Sequence, residues 1–197
     1  MDPRHRLGNF LTGWMIPFIN KTPINPNALT ITGLIIIIAA SVLVAMNYLL
    51  AGGILMLVSG LFDILDGALA RYAKKMTKFG GVMDSTFDRF SEGILFLGLL
   101  ILYTPRGAVI FPILIVLSLI FSFLISYIRA RAEGIGINCE VGFFTRTERV
   151  LIMVVALIIG AFIPDWPILI ALVILALFSL ITVIQRLVHV YRQARNI

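Results

Sequence analysis

Six long apolar runs, separated by short polar or Pro/Gly-marked joints, constrain this chain more than any other feature. They fall at about Ala28–Leu50, Gly52–Ala70, Gly80–Tyr103, Val109–Ile128, Phe143–Ile163 and Ile168–Val190. About 20 helical residues cross roughly 30 Å of hydrocarbon, and each run is that long or nearly so. Composition agrees: 60% of residues are hydrophobic, 13% are charged and the mean hydropathy is +1.04. Soluble domains carry about 45–50% apolar and about 25% charged residues. The sequence therefore predicts an all-α integral membrane protein with six transmembrane helices. The fifth run is the weakest, because Arg146, Glu148 and Arg149 occupy its first turns.

Six crossings put both termini on one side, and the basic residues test this. Of the 16 Lys and Arg residues, only Arg106 falls on the opposite side. That asymmetry predicts a multi-pass protein of the cell membrane with cytoplasmic termini. It also absorbs the net charge of +6, so no nucleic-acid partner is expected. Before the first run, Leu7, Phe10, Leu11, Trp14, Met15 and Phe18 recur at helical spacing. This predicts an N-terminal interfacial amphipathic helix among membrane lipids. One domain over 1–197 is expected, with 1–25 as interfacial helix and linker and 26–197 as the six-helix core. The single cysteine, Cys139, excludes an intrachain disulfide, and there is no GxxxxGK[ST] or HExxH.

Membrane segments avoid acids, yet runs two and three hold Asp63, Asp66, Asp84, Asp88 and Glu92. A charge at mid-bilayer costs at least about 2.5–3.5 kcal/mol. Asp63 and Asp66 are spaced i, i+3; Asp84, Asp88 and Glu92 are spaced i, i+4, i+8. Each set lines one helix face. A short basic segment joins the two helices, which are expected to be antiparallel neighbours with facing acids. Such acids need a cation, and a hard divalent ion with oxygen ligands suits them. Gly67 and Ala70 leave room beside the acids, and Arg71 suits a phosphate. Metal, arginine and small-residue groove point to phosphoryl transfer. The acids alone also fit structural ion pairs or the cation path of an ion-coupled transporter.

The pattern Asp63-x2-Asp66-Gly67-x2-Ala70-Arg71-x8-Gly80-x3-Asp84-x3-Asp88 resembles the signature of the CDP-alcohol phosphatidyltransferase family at all eight fixed positions. The resemblance implies a six-helix membrane enzyme, usually a homodimer, that transfers a substituted phosphate from a CDP-alcohol to a second alcohol and releases CMP. It implies that Asp63, Asp66 and Asp84 bind a divalent metal and that Asp63 and Asp84 bridge to a second. Asp88 would be a ligand of the second ion and the general base. Two Mg²⁺ per site are expected, with Mn²⁺ as a substitute. Asp66, Gly67, Ala70, Arg71 and Thr77 would contact the CDP donor, with Asn27, Ala28, Leu29 and Thr30 bordering the nucleotide.

A second basic cluster addresses the acceptor. Ser126-Tyr127-Ile128-Arg129-Ala130-Arg131-Ala132-Glu133, Gly142-Phe143-Phe144-Thr145-Arg146-Thr147-Glu148-Arg149 and Gln185-Arg186 are similar to runs in the family's prokaryotic phosphatidylinositol-phosphate synthases. That likeness implies that Arg129, Arg149 and Arg186 converge on the phosphate of inositol phosphate, in one pocket opening toward Asp88. Arg131, Arg192 and Arg195 are expected to serve only as surface charge. Gly33 fits the same subgroup, since phosphatidylglycerophosphate synthases more often carry Arg there. The donor would be CDP-diacylglycerol or an archaeal ether analogue. The alternatives are a phosphatidylglycerophosphate synthase using glycerol 3-phosphate, and a relative using CDP-inositol as donor.

Overall fold

The computed structural model describes residues 26–72 and 78–195, with side chains for 30–63 and 79–195. The described residues are helical, without strands: α1 (Pro26–Ala45), α2 (Leu49–Tyr72), α3 (Lys78–Tyr103), α4 (Ile110–Gly134), α5 (Arg146–Gly160) and α6 (Trp166–Ala194). A 3-10 turn, Thr104–Arg106, joins α3 to α4. The expected N-terminal amphipathic helix lies outside the described residues.

The helices close into a ring. Helix α1 packs on α2 and α3, α2 also on α5, α5 on α6, α6 on α4, and α4 back on α3. Ala40, Val44, Leu99, Ile115, Leu157, Ile168 and Leu172 fill the interior. Close approach of α1 and α3 depends on Gly98, where an added Cβ would lie 2.6 Å from the Ser41 carbonyl oxygen. The Ser41 hydroxyl donates to the Ile94 carbonyl across the same contact, at 2.6 Å. The outside of the ring is apolar too. Ile35, Leu57, Leu97, Ile113, Leu151 and Ile184, one from each helix, are all exposed. An apolar exterior on every helix is the inverse of a soluble bundle.

Boundaries differ most from the apolar runs in three helices. The first run continues through Leu50, but α1 stops at Ala45. Asn47 takes a left-handed φ of 68°, and the Tyr48 N–H reaches back to the Leu43 carbonyl. Asn tolerates that conformation and ends helices for this reason. The fourth run extends by six residues, so Arg129, Arg131 and Glu133 ride on α4. Gly136 at φ 81° follows, with the Ile137 N–H bonded to the Ala132 carbonyl. The fifth run shortens most. Glu148 accepts the Thr145 backbone N–H at 2.8 Å and the Thr145 hydroxyl, a capping-box pairing that starts α5 at Arg146. Its 15 residues reach about 22 Å. Helices α4 and α6 are long and apolar enough to cross a bilayer, with hydropathies of 2.5 and 3.0. In α3 the acids and Arg89 dilute the first half.

Candidate active site at the acid-rich end

The connections divide between two ends of the ring. Those after α1, α3 and α5 meet at one end, where Arg106 reaches Asn47 and Asp165; the end of α4 lies at the other, with the acids. Asp63 comes from α2 and Asp84, Asp88 and Glu92 from α3, the face the i, i+4, i+8 spacing predicts. Ser59 fixes the α1–α2 contact one turn before Asp63, donating to the Gly33 carbonyl at 3.0 Å. A Cβ on Gly33 would sit 3.6 Å from Asp63 Oδ1, in ordinary contact, so this position lies beside that carboxylate.

Arg146, the first residue of α5, bridges the two acidic helices. Its Nη2 donates to Asp63 Oδ2 and its Nη1 to Asp88 Oδ1, both at 2.7 Å. Its Nε–H is buried and has no hydrogen-bond partner in this arrangement. Asp88 meets a second guanidinium more loosely, with Arg89 Nη1 at 3.4 Å. Arg89 is anchored elsewhere, donating to the Ser126 hydroxyl on α4 and the Ser85 carbonyl, each at 2.8 Å. Beside them, between α3 and α4, opens a cavity of about 890 Å³ lined by Asp88, Arg89, Ser126, Tyr127, Arg129 and Glu133.

The three arginines expected to converge sit at this end but hold different partners. Arg129 lines the Asp88 cavity and pairs with Glu133 at 2.7 Å, both about half exposed. Arg149 is 3% exposed and donates to both oxygens of Glu92, at 2.9 and 3.5 Å. It lines a separate cavity of about 40 Å³ with Asp63, Glu92 and Arg146. Arg186 is buried and donates to the carbonyls of Val141, at 3.0 Å, and Ile125. Gly142, at φ 114°, lets the chain pass beside it, since a Cβ there would lie 2.7 Å from Thr182 and 3.4 Å from Arg186 Nε. Of the three, Arg129 borders the Asp88 cavity, while Arg149 pairs with Glu92 and Arg186 with backbone carbonyls. Arg131, Arg192 and Arg195 are exposed.

Of the donor-side residues, Thr30 is half-buried near the start of α1. The side chains of Asn27, Ala28, Leu29, Asp66, Ala70 and Arg71, the surroundings of Gly67 and the whole of Thr77 lie outside what is described. Two contributors, Arg146 and Glu92, went unassigned by sequence reasoning. Arg146 lies one turn before Arg149 on α5 and Glu92 one turn beyond Asp88; that periodicity was the available signal.

Asp63, Asp84 and Asp88 offer only carboxylate oxygens, the donors that hard divalent cations take. A positive group, the Arg146 guanidinium, already sits between two of them. Among the described residues no three acids have closed to metal-ligand spacing. The donor set and its counter-charge nevertheless fit a divalent ion.

Comparison with known proteins points the same way. The chain is 35% identical over 179 residues to the archaetidylinositol phosphate synthase of Methanothermobacter thermautotrophicus, covering 91% of this chain and 89% of that one. It resembles the crystal structure of Mycobacterium tuberculosis phosphatidylinositol phosphate synthase with CDP-DAG bound, at TM-score 0.78 and 34% identity over 94% of each chain. The same mycobacterial enzyme in complex with manganese and citrate matches at TM-score 0.78 and 33% identity, over 93% of this chain and 88% of that one. That relative was thus solved with a divalent metal, and the apolar helices fit a membrane protein. The model for CDP-alcohol phosphatidyltransferase matches residues 23–189, and the chain belongs to that family.

Proposed function

We propose that this enzyme transfers a phosphatidyl-type group from a CDP-alcohol lipid to inositol phosphate, releasing CMP and making a phosphatidylinositol phosphate. The observation that carries the reading is Asp88. It belongs to the family motif and also borders the large cavity that Arg129 lines. An acceptor phosphate paired with Arg129 would bring its sugar hydroxyl toward Asp88. The hydroxyl oxygen attacks the lipid-side phosphorus of the donor, its proton passes to Asp88, and the bond to the CMP oxygen breaks. Arg149 and Arg186 complete the acceptor site in this reading, and the names of the relatives support that acceptor.

Asp63, Asp66, Asp84 and Asp88 would hold two Mg²⁺, or Mn²⁺ in their place, whose charge offsets that developing on the transferred phosphate and the leaving CMP. Asn27, Ala28, Leu29, Thr30, Gly67, Ala70, Arg71 and Thr77 would hold the CDP moiety. The wider reading is one domain over 1–197 with six membrane crossings, an N-terminal interfacial helix, a homodimeric assembly, and termini and active site on the cytoplasmic side. The basic asymmetry and the apolar ring exterior support the topology; the family resemblance supports the dimer.

The test is CMP release by the purified full chain in lipid nanodiscs. CDP-diacylglycerol and its ether analogue are each supplied with inositol 1-phosphate or glycerol 3-phosphate. Release with inositol phosphate is expected, and the two donors distinguish a diacyl from an ether lipid product. Release with glycerol 3-phosphate alone would overturn the acceptor.

A further inference from the structure

We propose that Arg146 is an exchangeable counter-ion of the metal site: it holds Asp63 and Asp88 together when no metal is bound, and a divalent cation binds by displacing it. The inference rests on the assignment of those two aspartates as metal ligands.

The geometry carries the exchange. Arg146 reaches from the first turn of α5 to carboxylates on two other helices, 83 residues away at Asp63. Each of its terminal nitrogens takes a different acid, at 2.7 Å. A planar guanidinium spans two acceptors with two separate nitrogens, whereas a lysine must bring both carboxylates to one nitrogen. Two carboxylates on facing helices would otherwise repel each other across a partly buried gap. A cation ligated by Asp63 Oδ2 or Asp88 Oδ1 would take the oxygens Arg146 uses and repel the guanidinium as well.

Arg146 is also incompletely satisfied where it sits. Its Nε–H is buried without an acceptor, a cost that leaving the site would relieve. By contrast Arg149, one turn on, has its Nε–H paired with Glu92 and an Nη1–H donating to the Phe144 carbonyl at 3.4 Å. Of the two α5 arginines, only Arg146 holds the aspartates of the motif, and it holds them from a helix end anchored by the Thr145–Glu148 pairing. The backbone is thus anchored, and the exchange requires only the side chain to move.

The experiment is Mn²⁺ titration of the metal-stripped full chain, reading free Mn²⁺ by electron paramagnetic resonance and thermal unfolding in parallel. Charge-assisted contacts of this kind are each worth roughly a tenfold or larger change in an equilibrium. R146Q should therefore bind Mn²⁺ about 10-fold tighter or more. It should unfold at lower temperature without metal and gain more from Mn²⁺ than the wild type does. R146K keeps the charge but has one nitrogen to share between two acids, and should also bind more tightly, by a smaller factor. It decides the matter if R146Q does not fold. Tighter binding in R146Q with wild-type affinity in R146K would reduce Arg146 to a distant charge and overturn the exchange. So would unchanged or weaker binding in both variants. Wild-type protein that binds no Mn²⁺, or binds it equally after Asp63→Asn, would instead sink the metal assignment beneath the proposal.

Discussion

Two arginines, one at each end of the ring, make the same kind of contact with opposite consequences. Arg106, at the end where the connections after α1, α3 and α5 meet, donates to Asp165 Oδ1 and Asn47 Oδ1, each at 2.8 Å, and lies 4.8 Å over the Tyr103 ring. Both acceptors stand at left-handed backbone positions, φ 65° and 68°, so one guanidinium pins two strained turns and its own. One positive charge meets one negative charge and a neutral amide. Arg146 likewise spans two elements, but both of its acceptors are carboxylates, and Asp84 stands one turn from Asp88. The first arrangement is complete in itself. The second leaves negative charge in excess in a partly buried place, which is the condition for binding a cation.

The sharpest way to break this contrast is to remove the cation. Chelation should abolish CMP release, and Mg²⁺ or Mn²⁺ should restore it. Full turnover in excess chelator would put the two ends on equal terms and refute the metal reading. Next in size is Asp88→Asn. General-base catalysis typically contributes about 10²–10⁴-fold, so turnover should fall at least that far while the unfolding temperature stays near the wild type. Near-normal turnover at saturating metal would remove Asp88 from the chemistry.

The acceptor arginines divide along the same line between closed and open pairs. Arg129→Ala, at an exposed pair, should raise the acceptor KM by about 10–150-fold with little change in unfolding temperature. Arg149→Ala should raise KM too, but it also leaves Glu92 buried and unpaired. Breaking a buried pair costs about 3–5 kcal/mol, so this variant should unfold earlier, and Glu92→Gln in the same chain should recover part of that loss. Arg131→Ala, an exposed control, should leave both quantities alone. If Arg149→Ala and Arg129→Ala prove equally stable, the Glu92 pair contributes nothing to holding α5 on α3.

Much of this was readable in the sequence, and the unread part has a common cause. The face shared by Asp84, Asp88 and Glu92 is a property of one helix, and spacing alone predicts it. The apolar runs placed all six helices for the same reason. The α1 boundary moved because one residue, Asn47, turns left-handed inside a continuous apolar run, where hydropathy carries no signal. The α5 boundary moved because a capping box outweighed the apolar character of Phe143 and Phe144. The pairings of Arg146 with Asp63 and of Arg149 with Glu92 span 83 and 57 residues. They depend on how the ring closes, and local periodicity says nothing of that. The partners of Arg149 and Arg186 were unread for the same reason, since they come from another helix and from backbone carbonyls distant in sequence.

The smallest expected effect tests the complete end. Arg106→Ala removes a 34%-exposed side chain from an ion pair whose partner is 48% exposed. Exposed ion pairs are worth about 0.2–1 kcal/mol, and an exposed cation–π contact about 0.5–1 kcal/mol. The Asn47 amide adds one ordinary hydrogen bond, about 1 kcal/mol. These do not add fully, because losing one contact frees the others to reach water. A net loss of about 1–2 kcal/mol lowers the unfolding temperature by roughly 2–8 °C for a chain of this length. Turnover, acceptor KM and Mn²⁺ affinity should stay within about twofold of the wild type, since no residue of the acidic face touches Arg106. The variant thus separates the two ends by a readout each alone can move. A change in Mn²⁺ affinity on losing Arg106 would mean that the turns at one end set the spacing of Asp63 and Asp88 at the other, and the two arginines would then belong to one coupled device.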